Sequence, residues 1–365
     1  MINENILKNE ERAIFALRSL YGKYGYKPFK MSKFEEYEFY IQNKDFLVSD
    51  RIIAFNDTNG KLLALKPDVT LSIVKNGEDI DGFKQKVCYN ENVYRVSENT
   101  HQFKEIMQTG VECIGKINLY DIYEMILMAS ESLALISNDF VLEVSHLGLL
   151  SSLLDTVCQS SSFKAEAIKF ISDKNPHDLS RLCEQYNIEQ GKGETLLQFV
   201  SIYGDRQSVL SKLASLNIDF ANNALNELKT LSNMLDKLEC GGKIKFDFSA
   251  VSDMNYYNGI VFKGYIKGLS QSILSGGQYD NLLYKLGRRS GAIGFAIYLD
   301  LLEDLPSERQ DFDVDVLLLC DDGNATLIET VNEITASGKT VSVQGADSQK
   351  IRYKELIDLR GENNA

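Results

Sequence analysis

Strand-like segments lie on both sides of a long helical stretch, and this arrangement constrains the fold more than any other feature of the sequence. Short apolar runs rich in strand-forming residues occupy residues 46–75, 86–117 and 140–148, and similar runs return over 243–302. Between them, residues 150–236 are predicted to form helices joined by polar connectors. Two separated groups of strands predict an α+β fold, in which one antiparallel-rich sheet is interrupted by a helical insertion.

Two further helices and a separate tail complete the predicted organisation. Residues 5–25 and 121–136 carry apolar side chains at helical spacing, which predicts helices flanking the sheet. A polar linker at 306–310 precedes a tail, 311–365, that is predicted to form a strand, a helix, a strand and a final helix over 348–357. We therefore predict a core over 1–305, which includes the insertion, and a small α/β domain over 311–365.

Composition excludes several classes of protein and site. The net charge of −13 argues against a nucleic-acid partner, because a basic surface supplies most of the affinity for phosphates. Six cysteines without a CxxC pair predict free thiols, and three histidines without close cysteines predict no metal site. No apolar run approaches the roughly 20 residues of a membrane span, and the start is polar, so we expect a cytoplasmic protein. We expect no cofactor.

Four short motifs could together form a polar pocket. LALKPDVT (63–70) places two polar side chains on one face if the chain is extended there, and QTGVE (108–112) does the same on a strand. NYYNG (255–259) and SGGQYD (275–280) add tyrosines and a glycine pair. Carboxylates, an amide and phenols can hold a small cationic or amphoteric ligand, although turn glycines and packed tyrosines would produce the same pattern. The residues of this group are Asp68, Thr70, Gln108, Glu112, Tyr256, Tyr257, Gly276, Gly277 and Tyr279.

These motifs occur in the order found in histidyl-tRNA synthetase, and residues 6–304 resemble the catalytic core of that family. IFALRSLYGKYGYKPFKMSKFEEYE resembles the first helix and motif 1, and LKPDVT resembles L-R-P-E-G-T. VYRVSENTHQFKEIMQTGVECIG is similar to motif 2 and its following strand, and GAIGFAIYLDLL to motif 3. SDMNYYNGIVF and SGGQYDNLL resemble the two histidine signatures. The resemblance implies a class II aminoacyl-tRNA synthetase-like fold, an antiparallel sheet flanked by helices.

The resemblance also implies a histidine pocket. Asp68, Thr70 and Gln108 match positions that hold the ammonium or carboxylate of histidine. Glu112 and Tyr257 match groups that bind the imidazole. The remaining matches are Arg95, the motif 2 arginine, and the pocket residues Tyr256, Tyr279, Gly276 and Gly277.

Three positions depart from an active synthetase. Ser97 replaces the motif 2 glutamate, Ser252 replaces the arginine of the first signature, and Leu301 replaces the arginine of motif 3. Loss of one electrostatic donor typically costs a factor of about 10²–10³ in rate, so we expect no aminoacylation and no catalytic residue. The tail over 311–365 is also shorter than a usual anticodon-binding domain and is interpreted as truncated, without tRNA binding.

The same fold and pocket without these catalytic groups are typical of the regulatory subunits of short-form ATP phosphoribosyltransferase, which the chain resembles. This resemblance implies a non-catalytic protein that activates a separate catalytic subunit in the first step of histidine biosynthesis and mediates feedback inhibition by histidine. It further implies a homodimer within a larger hetero-oligomer. Three alternatives stay open: a functioning histidyl-tRNA synthetase, an enzyme that activates another amino acid, and a stand-alone histidine-binding module. The synthetase-like pocket and a subunit interface are both compatible with histidine binding.

Overall fold

The structure, a computed structural model, describes residues 7–47, 51–97, 100–216, 222–249, 256–305, 312–321, 324, 326–347 and 350–361. The chain divides into two units, Met1–Leu305 and Pro306–Ala365. Each unit has its own sheet.

The described chain contains both helices and strands, and its helices are concentrated between Leu147 and Leu235. The helices are α1 Asn9–Lys23, α2 Tyr37–Gln42, α3 Thr70–Lys75, α4 Leu119–Ile136, α5 Leu147–Val157, α6 Ser161–Ser172, α7 Pro176–Gln185, α8 Gln190–Val200, α9 Arg206–Ser215, α10 Asn222–Leu235, α11 Asp280–Lys285 and α12 Leu327–Ala336. The strands are β1 Lys27–Pro28, β2 Phe34–Glu36, β3 Ala54–Asn56, β4 Leu62–Leu65, β5 Gln85–Val96, β6 Phe103–Gly115, β7 Phe140–His146, β8 Tyr203–Asp205, β9 Ile244–Asp247, β10 Ile260–Ile266, β11 Leu274–Gln278, β12 Gly291–Tyr298, β13 Val314–Leu319, β14 Val341–Gln344 and β15 Tyr353–Asp358. Three short 3-10 turns cover Lys44–Phe46, Gly241–Lys243 and Leu299–Asp304.

A nine-stranded sheet forms the centre of the larger unit, in the order β1-β5-β6-β12-β11-β10-β7-β9-β8. Neighbouring strands run antiparallel except for the parallel pairs β1–β5 and β7–β9. Strands from before and after the helical stretch alternate within this one sheet, because β12, β11 and β10 lie between β6 and β7. The antiparallel-rich sheet predicted from the sequence is therefore present.

The hairpin of β5 and β6 supplies the longest pair of strands. Its register runs from Gln85 opposite Ile114 to Val96 opposite Phe103. Side chains alternate between the two faces of a strand, so residues two or four apart share a face. Gln108 and Glu112 consequently project from the same face of β6, as the sequence predicted.

Helix α4 packs an apolar surface against the sheet and is fixed to the hairpin by charge pairs. Asn118 caps its first turn by accepting hydrogen bonds from the backbone N–H groups of Tyr120 and Asp121. Asp121 and Glu124, both nearly inaccessible, form ion pairs with Lys84, just before β5, and with Lys86 in β5, each at 2.5 Å. Since an unpaired buried charge is strongly destabilising, these pairs set the position of the helix on the hairpin.

The inserted stretch is helical but also contributes a strand. Helices α5 to α10 bury leucines and phenylalanines in the same core as the sheet. Tyr203–Asp205, predicted to lie in a wholly helical segment, instead forms β8 and pairs with β9 at the sheet edge. The carboxylate of Asp205 then accepts hydrogen bonds from the backbone N–H groups of Gln207 and Ser208, which starts α9.

The strand prediction over 46–75 is correct only in part. Strands are confined to β3 and β4, and β4 lies between β2 and β3 in a separate three-stranded sheet. Residues 48–50 lie outside the described chain. Residues 70–75 form α3 rather than an extended segment. Its apolar side chains are almost completely buried, and a short helix buried on all sides has the same apolar run as a strand.

The smaller unit contains a parallel sheet in the order β14-β13-β15, together with α12. The final helix predicted over 348–357 is wrong, because Tyr353–Asp358 forms strand β15 along β13. The backbone N–H of Asp313 also donates to the carbonyl of Arg352, and the two side chains form an ion pair at 2.7 Å. Pairing with a buried central strand here overrides the local helix preference.

Within the described ranges, no helix combines the length and the apolar character that crossing a bilayer requires. All six cysteines are unpaired thiols, as the sequence predicted.

Candidate functional site

A cavity of about 270 Å³ opens on the face of the large sheet that carries Gln108 and Glu112. Eight of the ten predicted site residues line it, namely Asp68, Thr70, Arg95, Gln108, Glu112, Tyr256, Tyr257 and Tyr279. The other lining residues are Asp45, Phe46, Leu47, Tyr89, Lys263, Ser272, Ser275, Gly294, Phe295, Ala296 and Tyr298. The structure therefore gathers residues that are far apart in sequence around one space.

Glu112 is the central polar group of this cavity. The Thr70 hydroxyl donates to its Oε1 at 2.8 Å, and the Tyr279 hydroxyl donates to its Oε2 at 2.6 Å. The residue is only 2% exposed, and burial raises the pKa of its carboxyl from 4.5 to about 8. A ligand that brings an N–H donor would stabilise the carboxylate form of this group.

Gly294 makes room for the Glu112 side chain, a contact that the sequence analysis did not identify. It lies directly opposite Glu112 in the β12–β6 pairing. A Cβ atom at residue 294 would stand 1.7 Å from Oε2 of Glu112 and 2.5 Å from the Val111 carbonyl oxygen. A glycine inside a strand is the sequence signal for such a close approach.

Replacing Gly294 with alanine should destabilise the protein by about 2 kcal/mol or more, because the added methyl group overpacks a buried site. Urea unfolding measures the effect. Gly191→Ala is the matched control, since nothing lies within 4 Å of a Cβ there and the residue is helical. The control should be neutral or stabilising by up to about 1 kcal/mol, and equal effects of the two changes would contradict the packing argument.

Asp68 and Arg95 form a second polar region of the cavity. The segment around Asp68 is not extended, because the backbone N–H of Leu71 donates to Asp68 Oδ1 at 2.8 Å and the chain turns into α3. Asp68 and Thr70 nevertheless both reach the cavity. Burial raises the pKa of Asp68, and the nearby Arg95 guanidinium opposes this shift. Arg95 is itself held by a 3.0 Å hydrogen bond from Nε to the Pro67 carbonyl.

Aromatic rings enclose the remaining space. The ring centres of Tyr256 and Tyr257 lie 4.6 Å apart, and those of Tyr256 and Tyr279 lie 5.7 Å apart. Phe46 packs against Tyr256 from the 3-10 turn at Lys44–Phe46, and Tyr89 comes from β5. Phe46, Tyr89 and Lys263 lie outside the recognised motifs and were not predicted, because only the fold brings them to the cavity.

The glycine pair does not line the cavity. Gly276 and Gly277 lie within β11, between β10 and β12. A Cβ at Gly277 would stand 2.9 Å from the Tyr257 ring, and one at Gly276 would stand 2.4 Å from Cβ of Phe295. The two glycines therefore allow cavity residues to pack closely, which corrects their expected direct part in ligand binding.

The three departures from the synthetase pattern lie in different settings. Ser97 is in the turn between β5 and β6, where its backbone N–H donates to the Gln102 carbonyl at 2.9 Å. Leu301 lies in the 3-10 turn Leu299–Asp304 and packs against the main core. Ser252 falls outside the described residues.

The chemistry of the cavity suits a small amphoteric molecule. Two carboxyl groups, the half-buried Asp68 and the buried Glu112, face a space that also contains the cations of Arg95 and Lys263. Opposite charges and phenols at separate positions can bind an ammonium, a carboxylate and a ring at the same time. In the described part of the chain, no cluster of three or more His, Cys, Asp or Glu side chains is arranged to hold a metal ion.

Comparison with known proteins agrees with this architecture. Residues 3–302 match the family model described as histidyl-tRNA synthetase. The ATP phosphoribosyltransferase regulatory subunit of Alkaliphilus metalliredigens is 32% identical over 285 residues, which cover 76% of this chain and 72% of the relative.

Two solved structures have the same fold. A crystal structure described as an ATP phosphoribosyltransferase regulatory subunit/histidyl-tRNA synthetase from Bacillus halodurans matches with a TM-score of 0.79 at 24% identity, covering 96% of this chain and 93% of that one. A chain of an ATP phosphoribosyl transferase complex from Thermotoga maritima matches with a TM-score of 0.63 at 19% identity, covering 80% and 97%. These likenesses confirm the predicted class II synthetase-like fold. Together with the matched family model and the relative at 32% identity, they show that the chain belongs to the histidyl-tRNA synthetase-like family of ATP phosphoribosyltransferase regulatory subunits.

Proposed function

We propose that this chain is a non-catalytic regulatory subunit that activates the short-form catalytic subunit of ATP phosphoribosyltransferase in the first step of histidine biosynthesis. The name of the relative at 32% identity supports this role. So does the presence of a chain of the same fold in the Thermotoga maritima complex. In this proposal the protein acts in the cytoplasm, as a homodimer within a larger hetero-oligomer, and binds no tRNA.

Histidine is the proposed effector, and the cavity around Glu112 is its proposed site. The observation that carries this assignment is the buried Glu112 carboxyl between the Thr70 and Tyr279 hydroxyls. An imidazole N–H would donate to Glu112, and the ammonium would pair with Asp68. Arg95 is placed near Asp68, where it can balance the ligand carboxylate.

Absence of synthetase activity is part of the proposal. Leu301 presents an apolar side chain that packs in the core, and Ser97 carries no charge. Neither side chain can replace a guanidinium or a carboxylate at the α-phosphate of ATP. We therefore expect no histidine-dependent exchange of pyrophosphate into ATP, and such exchange would favour the synthetase alternative.

Regulation would operate as a coupling free energy between two sites. The chain would favour the active state of the catalytic subunit. Histidine would favour the less active state, because it would bind the assembly more tightly in that state than in the active one. Linkage requires that binding of the catalytic subunit also changes the affinity for histidine.

The decisive experiment measures phosphoribosyl-ATP formation by the short catalytic subunit of the same organism. The rate is followed with and without this chain while histidine is titrated. We expect the chain to raise the rate severalfold and histidine to remove the increase. A sizing column verifies that the two proteins assemble. An intact assembly with an unchanged rate and no response to histidine would overturn the proposal.

A further inference from the structure

A second cavity, of about 580 Å³, lies on a different part of the larger unit. It shares no lining residue with the cavity around Glu112, although the two approach each other through adjacent residues of the chain. The residues that line it are Ile117, Asn118, Leu119, Ile122, His146, Asn226, Glu227, Thr230, Asn258, Gly259 and Gln278. They come from the start of α4, the end of β7, helix α10 of the insertion, and the ends of β10 and β11.

His146 lines this second cavity and has a buried ring nitrogen without a hydrogen-bond partner. The residue is 7% exposed, and its Nδ1 accepts a hydrogen bond from the backbone N–H of Leu149 at 3.2 Å. Nδ1 therefore carries the lone pair, and the proton of the neutral ring is on Nε2. Burial lowers the pKa of His146 to about 4, which keeps the ring neutral. Nε2 is buried and has no hydrogen-bond partner among the described residues.

Glu227 provides the complementary acceptor. Its Oε2 lies 4.0 Å from Nε2 of His146, which is too long for a hydrogen bond. Burial raises the pKa of Glu227, and no lysine or arginine of the described chain forms an ion pair with it. A buried donor without a partner costs about 1–3 kcal/mol, so a ligand that satisfies both groups gains this energy.

The distance between His146 Nε2 and Glu227 Oε2, together with the residues around them, indicates which kind of ligand the cavity can bind. A donor and an acceptor 4.0 Å apart can each bind one of two adjacent polar groups on a ligand. The start of α4 lines the same cavity, with its Tyr120 and Asp121 N–H groups already capped by the Asn118 side chain. Ile117, Leu119 and Ile122 form an apolar wall. A metal ion is disfavoured, because Nε2 of His146 carries the ring proton.

We propose that this second cavity binds free α-amino acids with apolar side chains. The ammonium pairs with Glu227, the carboxylate accepts from His146 Nε2–H beside the start of α4, and the side chain lies on the isoleucines. Gly259 and Gln278 line the same cavity. The Gln278 amide oxygen accepts a hydrogen bond from the Ile260 N–H, and a Cβ atom at residue 259 would stand only 2.0 Å from that oxygen. The inference does not depend on the role of the Glu112 cavity.

The first test is calorimetric titration of the full-length chain with L-leucine, in the presence of saturating histidine. 4-Methylpentanoate, which lacks the ammonium, and isopentylamine, which lacks the carboxylate, are the comparison ligands. We expect L-leucine to bind at least about tenfold more tightly than either, because each lacks one charge-assisted hydrogen bond. Equal binding of the three compounds, or no binding of L-leucine, would overturn the proposal.

Single substitutions test whether L-leucine binds in the second cavity. Glu227→Gln and His146→Asn should each weaken L-leucine binding about tenfold or more. Asparagine is chosen because it is among the best N-cap residues and can retain the bond to the Leu149 N–H. Lys229→Gln, an exposed change on the same helix α10, should leave L-leucine binding unchanged. Binding that survives both cavity variants would place the amino acid elsewhere.

An NMR measurement tests the site in the unmodified protein. The chain has three histidines, so the imidazole of His146 can be assigned by single substitutions. Long-range ¹H–¹⁵N spectra should show the Nε2–H tautomer, and its resonances should shift during titration with L-leucine. A tautomer with the proton on Nδ1, or resonances that do not move, would contradict the proposal and leave a bridging water as the partner of this group.

Discussion

Replacing Glu112 with glutamine is expected to weaken histidine binding about 10- to 100-fold while the fold is retained. The carboxylate is the acceptor proposed for the imidazole N–H, and a hydrogen bond to a charged group contributes about 1.5–3 kcal/mol. Glutamine has the same shape and can still accept from the Thr70 hydroxyl, so the cavity keeps its walls. Calorimetric titration of histidine into the isolated chain measures the loss directly.

Glu105→Gln is the matched control for this change. Glu105 lies on the same strand β6 but is exposed, and it does not line the cavity. The control should bind histidine like the unmodified chain. If Glu112→Gln also leaves binding unchanged, histidine occupies another place, and a subunit interface becomes the preferred location. The same two variants can be added to the phosphoribosyl-ATP assay, where only Glu112→Gln should reduce inhibition by histidine.

The second large effect concerns stability against pH. In the folded chain burial holds the pKa of Glu112 at about 8, against an ordinary value of 4.5. The folded state therefore binds the proton more tightly than the unfolded state. This contribution to stability is fully present below pH 4.5 and is lost as the pH rises through about 8. The maximum loss is about 1.4 kcal/mol for each pH unit in this interval.

Glu112→Gln removes this titration. Its free energy of unfolding should exceed that of the unmodified chain by an amount that grows from pH 5 to pH 9 and reaches several kcal/mol. Urea unfolding at a series of pH values, without histidine, measures the difference between the two proteins. Glu105→Gln, an exposed change on the same strand, should give only a small difference in the free energy of unfolding. A constant difference for Glu112→Gln would mean that the buried carboxyl does not titrate in this range.

Both predictions follow from one buried carboxyl group, which is proposed to bind histidine and which lowers stability. A carboxyl group with restricted access to water lowers stability near neutral pH, and glutamine at the same position would avoid the cost. Functional sites commonly retain such destabilising groups because the ligand requires them. A variant that is more stable and binds histidine more weakly would identify Glu112 as a residue kept for binding.

Much of the fold was predictable because periodicity is a local property. The apolar spacing of α1 and α4, and the alternation in β5 and β6, are each visible within a single segment. The same local information failed for α3, where burial on all sides hides the helical period, and for β15, where pairing with β13 overrides the local preference. Strand β8 was missed for a similar reason, since three residues become a strand only through their partner.

For the site, the sequence determined which chemical groups are present and, through strand alternation, that Gln108 and Glu112 share a face. The resemblance to a known family added the order of the motifs. Only the tertiary structure decided that Gly294 lies opposite Glu112, that Gly276 and Gly277 support the cavity without lining it, and that Phe46 and Tyr89 enclose it. It alone placed His146 within 4.0 Å of Glu227. The physical reason is that burial and long-range register, which set pKa values and close contacts, depend on residues far apart in the chain.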